Sequence, residues 1–114
     1  MEKHTQQKDT IPTITIEELQ LRLQQGGNNM LIDVREPSEH ELSSIPGSHL
    51  IPLGELPSRL EELQGANEIY LHCRSGGRSA KALLFLQEMG FKNVYNVEGG
   101  ILAWEEKIHG SQFR

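Results

Sequence analysis

Cys73 is the only cysteine in the chain, and it closes a short apolar run, Ile69-Tyr70-Leu71-His72. Directly behind it comes Arg74-Ser75-Gly76-Gly77-Arg78-Ser79. Gly76 and Gly77 allow backbone angles that turn successive amide N–H groups inward, which makes a nest for an anion. An amphipathic segment follows, so a helix opening near Ser79 adds the positive end of its dipole to the same place. Together these features lower a thiol's pKa from about 8.5 towards the range of roughly 3.5–7.5. The chemistry expected of Cys73 is therefore that of a thiolate nucleophile. A lone cysteine at a strand end is ordinarily a small buried hydrophobe. The loop decides otherwise, because glycines beside arginines pack poorly and hold anions well.

Other reactive side chains offer less. His72 precedes Cys73 directly, but adjacent strand residues point to opposite faces, so it does not reach the sulfur. His4, His40, His49 and His109 are scattered, and with one cysteine they give no metal-ligand spacing. No metal or cofactor is expected. Asp33 and Arg35 either contact a substrate at the same sheet edge or bind each other and fix the loop after their strand. Phe85 and Trp104 read as core, and Glu61-Glu62 and Glu105-Glu106 as solvated helix faces.

The elements that must position Cys73 follow from periodicity. Thr13 to Thr15 suits a brief strand, and Thr15 with Glu18 forms a capping box for a helix over 16–25. Met30 to Val34 is a strand buried on both faces, as in a parallel sheet. Ser38 and Glu41 suggest a second capping box for a short helix near 39–42. Prolines 46 and 52 flank a strand at 49–51, and 56–63 reads as a helix. Ile69 to His72 is the central strand. Ser79 is the expected N-cap of a helix whose apolar stripe is Ala82, Leu83, Leu86 and Met89, widened by Leu84 and Phe85. Strand 94–97, a Gly99-Gly100 turn and helix 101–108 complete an α/β fold, mostly parallel, of about five strands with helices on both faces.

At 114 residues this is one domain, expected over 13–109, with flexible tails at 1–12 and 110–114. The net charge of −5 is interspersed, which argues against nucleic acid as a partner. No run approaches the roughly 18 apolar residues of a membrane span, and residues 1–10 lack the apolar core of a signal peptide. One cysteine and no leader point to a reducing compartment, the cytoplasm.

Residues 73–79 resemble the active-site loop of the rhodanese domain, a sulfurtransferase module. Three more stretches agree in order: Asp33-Val34-Arg35-Glu36, Ile45-Pro46-Gly47-Ser48-His49, and Gly99 to Trp104. The resemblance covers roughly 14–108 and extends to the terminal domain of molybdopterin-synthase-sulfurating proteins. It implies that Cys73 takes a sulfane sulfur from a small donor such as thiosulfate, forming a persulfide, and passes it to a thiol, cyanide or a protein. The amides of Arg74 through Ser79 would hold the persulfide, and Arg74 and Arg78 would attract the donor. Arg78 has a second role open to it, bracing the loop against its own carbonyls. The resemblance makes Asp33 and Arg35 mainly architectural. Related phosphatases and arsenate reductases place five residues between nucleophile and arginine, whereas here there are four, a cradle sized for sulfur. The competing reading is a non-enzymatic sulfur-carrier or regulatory module cut from a longer protein.

Overall fold

A computed structural model describes residues 11–112. Most of the expected N-terminal tail and the last two residues of the C-terminal one lie outside the described residues. The strands are β1 (Thr13–Ile14), β2 (Asn29–Asp33), β3 (His49–Leu50), β4 (Glu68–His72) and β5 (Val94–Val97). They form one sheet in the order β1-β5-β4-β2-β3, and every pairing is parallel. Helices α1 (Ile16–Gln25), α2 (Pro37–Leu42), α3 (Gly77–Glu88) and α4 (Gly100–Gln112) connect or follow them. The α/β class, the five strands and the parallel sheet agree with the sequence reading.

Alternation along β4 divides the core in two. Ile69, Leu71 and Cys73 join Ile32, Leu83 and Leu86 of one buried cluster, so α3 covers that face. Tyr70 joins Ile16, Leu19 and Ile101 in the other, under α1 and α4. Each fully buried leucine here is worth about 1.5–3 kcal/mol relative to an exposed one. β4 is central, paired with β2 on one side and β5 on the other, so Cys73 leaves the sheet at its best-supported carboxyl end. Ligand sites of open parallel sheets lie at that edge.

Several local expectations need correction. The short helix is capped not by Ser38 with Glu41 but two residues earlier, by Glu36 with Glu39: Pro37 takes the first helical position, where a missing N–H costs nothing, and Glu39 Oε1 accepts from the Glu36 amide at 2.8 Å. Segment 56–63 is no α-helix. Pro57 cannot supply an i→i−4 hydrogen bond, and two 3₁₀ turns, Leu53–Ser58 and Leu60–Leu63, replace it. Leu84 and Met89, placed on the apolar stripe of α3 by their spacing, are about half exposed. Ile11 and Pro12, assigned to the tail, join the fold: Ile11 packs on the first cluster, and the Pro12 carbonyl accepts from the Asn96 amide at 2.8 Å. Helix α4 runs to Gln112, beyond the expected end at Ile108.

Candidate functional site

The helix after β4 is capped three residues sooner than its sequence suggests. Gly76, at φ 129°, is the N-cap of α3, a conformation that a side chain would oppose, and Gly77 opens the helix. Ser79, expected as the cap, is therefore buried within the first turn. Its position there aims its amide at the sulfur and brings its hydroxyl oxygen alongside. Cys73 Sγ accepts from the Gly76 amide at 3.1 Å and from the Ser79 amide at 3.4 Å, and lies 3.4 Å from Ser79 Oγ.

Cys73 is almost wholly buried, which by itself pushes the thiol pKa up. The Ser79 hydroxyl and the amides of Ser79, Gly76 and Arg78 outweigh that burial, and the pKa falls below the ordinary thiol value. The carbonyls of the same loop are drawn the other way. Ile101 donates its amide to the Cys73 carbonyl at 2.9 Å, and Leu102 donates to the Arg74 carbonyl at 3.2 Å. Two orphan amides at the start of α4 thus find partners, and the loop is left with donors facing the sulfur. Gly99-Gly100 is more than a turn: a Cβ on Gly100 would stand 2.4 Å from the Cys73 carbonyl oxygen and 2.6 Å from that of Arg74.

The two arginines part company. Arg78 does not brace the loop through its own carbonyls; it reaches Glu39 on α2 in a two-pronged pair at 2.8 and 2.9 Å. That pairing holds the Glu39 carboxyl down to about 2 and raises the Arg78 pKa. Arg74 is exposed and makes no side-chain hydrogen bond or ion pair among the described residues. It lines an open cleft of about 240 Å³ with Arg35, Glu39, Leu42, Leu102 and Glu105. Ser75 and Gly77 are exposed at the rim of the loop.

Asp33 and Arg35 bind each other. Arg35 donates to both Asp33 carboxylate oxygens, at 2.9 and 2.8 Å, and to the Ser43 carbonyl at 2.7 Å, while His40 Nδ1 lies 2.9 Å from Asp33 Oδ2. Burial of Asp33 would raise its pKa, but Arg35 and then His40 bring it down to about 2. The pair ties β2 to the segment after α2, beside the loop rather than in it. Among the described residues no three His, Cys, Asp or Glu side chains are grouped to hold a metal, and no helix is long and apolar enough to cross a membrane.

His72 is completely buried, and neither ring nitrogen has a hydrogen-bond partner of ordinary geometry. Burial lowers its pKa from 6.5 to about 4, while the Asp33 charge and a weak contact with the Cys73 backbone oppose the drop without cancelling it. Between those two values the unfolded chain binds a proton there that the folded chain does not. The stabilisation is full above pH 6.5 and declines as the pH falls towards 4, with a slope approaching about 1.4 kcal/mol per unit. Urea unfolding of the wild type should accordingly weaken from pH 7 to pH 5 (both about), and His72→Leu should flatten that change. Equal pH slopes in the two proteins would show that His72 titrates alike folded and unfolded.

Three residues of the site escape sequence reasoning: Glu39, Gly100 and Asn96. Gly100 is legible only as part of a turn, and Asn96, whose amide meets Ser79, carries a signal in strand alternation, which puts it on the same face as Val94 and hence of Cys73.

A Rhodanese-like domain model matches residues 15–107. YrkF of Bacillus subtilis, provisionally named a sulfur carrier protein, is 38% identical over 106 residues, covering 93% of this chain and 57% of its own length. A protein of Allochromatium vinosum named "Sulfurtransferase" is 35% identical over 91 residues, covering 80% of this chain and 85% of its own. The structure titled "Human Single Domain Sulfurtranferase TSTD1" superposes with a TM-score of 0.73 at 29% identity, covering 84% of this chain and 96% of that one. The chain thus spans little more than half of the first relative and nearly all of the others. With the matched region running from the helix after β1 into the helix that grips the Cys73 loop, the protein belongs to the rhodanese-like family.

Proposed function

We propose that the protein is a sulfurtransferase in which Cys73 carries the sulfur. The Cys73 thiolate attacks the outer sulfur of a donor such as thiosulfate; a Cys73 S–S bond forms, the sulfur–sulfur bond of the donor breaks, and sulfite leaves with the electron pair. The persulfide then yields its outer sulfur to a thiophilic acceptor (a thiol, cyanide or a protein thiol), which restores the thiolate. No net oxidant is needed. The observation that carries this reading is the pair of backbone donors on Sγ, Gly76 N and Ser79 N, with the Ser79 hydroxyl 3.4 Å away, in a loop with four residues between Cys73 and Arg78. Preorganised donors stabilise an anion where it forms without reorganising.

Against a phosphatase or arsenate reductase stands the direction of Arg78, whose guanidinium is held by Glu39 instead of closing over the cradle. The sulfur-carrier or regulatory reading draws on the name and the longer chain of YrkF. A reducing, cytoplasmic setting suits a lone reactive thiol. Intact mass after incubation with thiosulfate decides among the three. The expected gain is one sulfur, about 32 Da, removable by cyanide with turnover. A persistent adduct with no turnover would favour the carrier, and hydrolysis of an aryl phosphate without an adduct would favour the phosphatase.

Arg74 and Arg78 should separate kinetically. Arg74→Ala removes the exposed, unpaired cation and is expected to raise KM for thiosulfate about fivefold, the worth of ~1 kcal/mol, with kcat little changed and with weaker salt dependence. Arg78→Ala and Glu39→Ala should each lower stability by about 1 kcal/mol and, combined, by little more than either alone. Additive losses would mean that the Glu39–Arg78 pair contributes nothing as a pair.

A further inference from the structure

Ser79 Oγ stands 2.5 Å from Asn96 Oδ1, 3.2 Å from the Gly76 carbonyl and 3.4 Å from Cys73 Sγ. A serine hydroxyl has one proton to donate, so these three acceptors compete for it. We propose that Asn96 is a positioning residue whose side-chain amide, by presenting either its oxygen or its nitrogen to Ser79, sets whether the Ser79 proton points away from the Cys73 sulfur or at it. The inference rests on the reading of Cys73 as the reacting group.

With the amide oxygen facing Ser79, the hydroxyl donates to Asn96 and shows a lone pair to the sulfur. That arrangement suits a neutral thiol, whose S–H donates to Ser79. A thiolate or persulfide needs the reverse. Rotation of the amide by half a turn exchanges oxygen and nitrogen with almost no displacement of either position. Nδ2 then donates to Ser79 Oγ, and the hydroxyl proton is released to the anionic sulfur. Only the S–H bond is broken over this change, its proton passing to solvent buffer.

The surroundings permit both states. The contact that Asn96 Nδ2 now makes with the Gly76 carbonyl is long, 3.5 Å, and that carbonyl keeps the Ala80 amide at 3.1 Å when the contact is lost. The place of Asn96 in β5 depends on its backbone, which donates to Pro12, and not on the amide side chain. Asparagine is one of two residue types that can serve as either donor or acceptor at a single point in this way; aspartate can only accept.

The test is the pKa of Cys73, read from ultraviolet thiolate absorbance in the resting protein, with circular dichroism as the check on folding. Asn96→Asp should raise it by about one unit or more, tenfold in the ionisation constant, by fixing the Ser79 proton away from sulfur. Asn96→Ala leaves the hydroxyl free to turn, and the pKa should stay within about half a unit of wild type. In a Ser79→Ala background the effect of Asn96→Asp should fall to less than half. The same rise in both backgrounds would make it a simple field effect of the carboxylate and overturn the proposal, as would a rise in Asn96→Ala matching that in Asn96→Asp. Because the readout uses no sulfur donor, its failure is distinct from failure of the sulfurtransferase reading.

Discussion

Cys73→Ser is expected to take up no sulfur from thiosulfate and to lose at least about a thousandfold in turnover. The hydroxyl occupies less space than the thiol, so the amides of Gly76 and Ser79 keep their places and the fold is unaffected. What is lost is ionisation and polarisability. The cradle lowers the pKa of a thiol, and the same contacts leave the far less acidic alcohol protonated. Intact mass should show the variant unchanged by thiosulfate, with an unaltered unfolding curve. Turnover above about a tenth of wild type would sink the covalent route in favour of direct transfer from donor to acceptor.

Gly100→Ala should be the most destructive substitution outside Cys73. The residue sits at φ 58°, and an added Cβ would approach two carbonyl oxygens of the Cys73 loop to 2.4 and 2.6 Å. Neither oxygen can give way cheaply, because both belong to backbone that accepts amides from Ile101 and Leu102. The expected loss is about 3 kcal/mol or more, out of a typical total of 5–15. Gly47→Ala is the comparison, since Gly47 has φ 87° but open space around the new Cβ. It should cost only the backbone term, about 1–2 kcal/mol. Similar losses at the two positions, measured by urea unfolding, would show that backbone conformation rather than the contact with the Cys73 loop makes Gly100 necessary.

Much of the scaffold is legible in the sequence for local reasons. Alternation of Ile69, Tyr70, Leu71 and His72 assigns the two faces of β4 correctly, and so separates His72 from the Cys73 sulfur. The glycines behind Cys73 announce inward amides, and two of those amides do point at Sγ. Caps are harder, because Ser38 and Ser79 both fit a cap pattern and both lose to a neighbour with a stronger backbone reason, Pro37 and Gly76. The long-range contacts are not legible. Glu39 and Arg78 are 39 residues apart, Ser79 and Asn96 17 apart, and nothing in local spacing says that a helix and an edge-facing strand residue converge on one loop. Gly99-Gly100 carries a turn signal and hides a packing requirement, since a close backbone approach depends on what arrives from elsewhere in the chain.

The grip of α4 on the loop also sets an order of events during synthesis. Cys73 and its glycines are made first, whereas Ile101 and Leu102, which draw the loop carbonyls aside, are made later. A nascent chain that has released β4 but not α4 carries the Cys73 loop without the amides that pair its Cys73 and Arg74 carbonyls. The finished loop is in this sense assembled last, after the sheet that bears it.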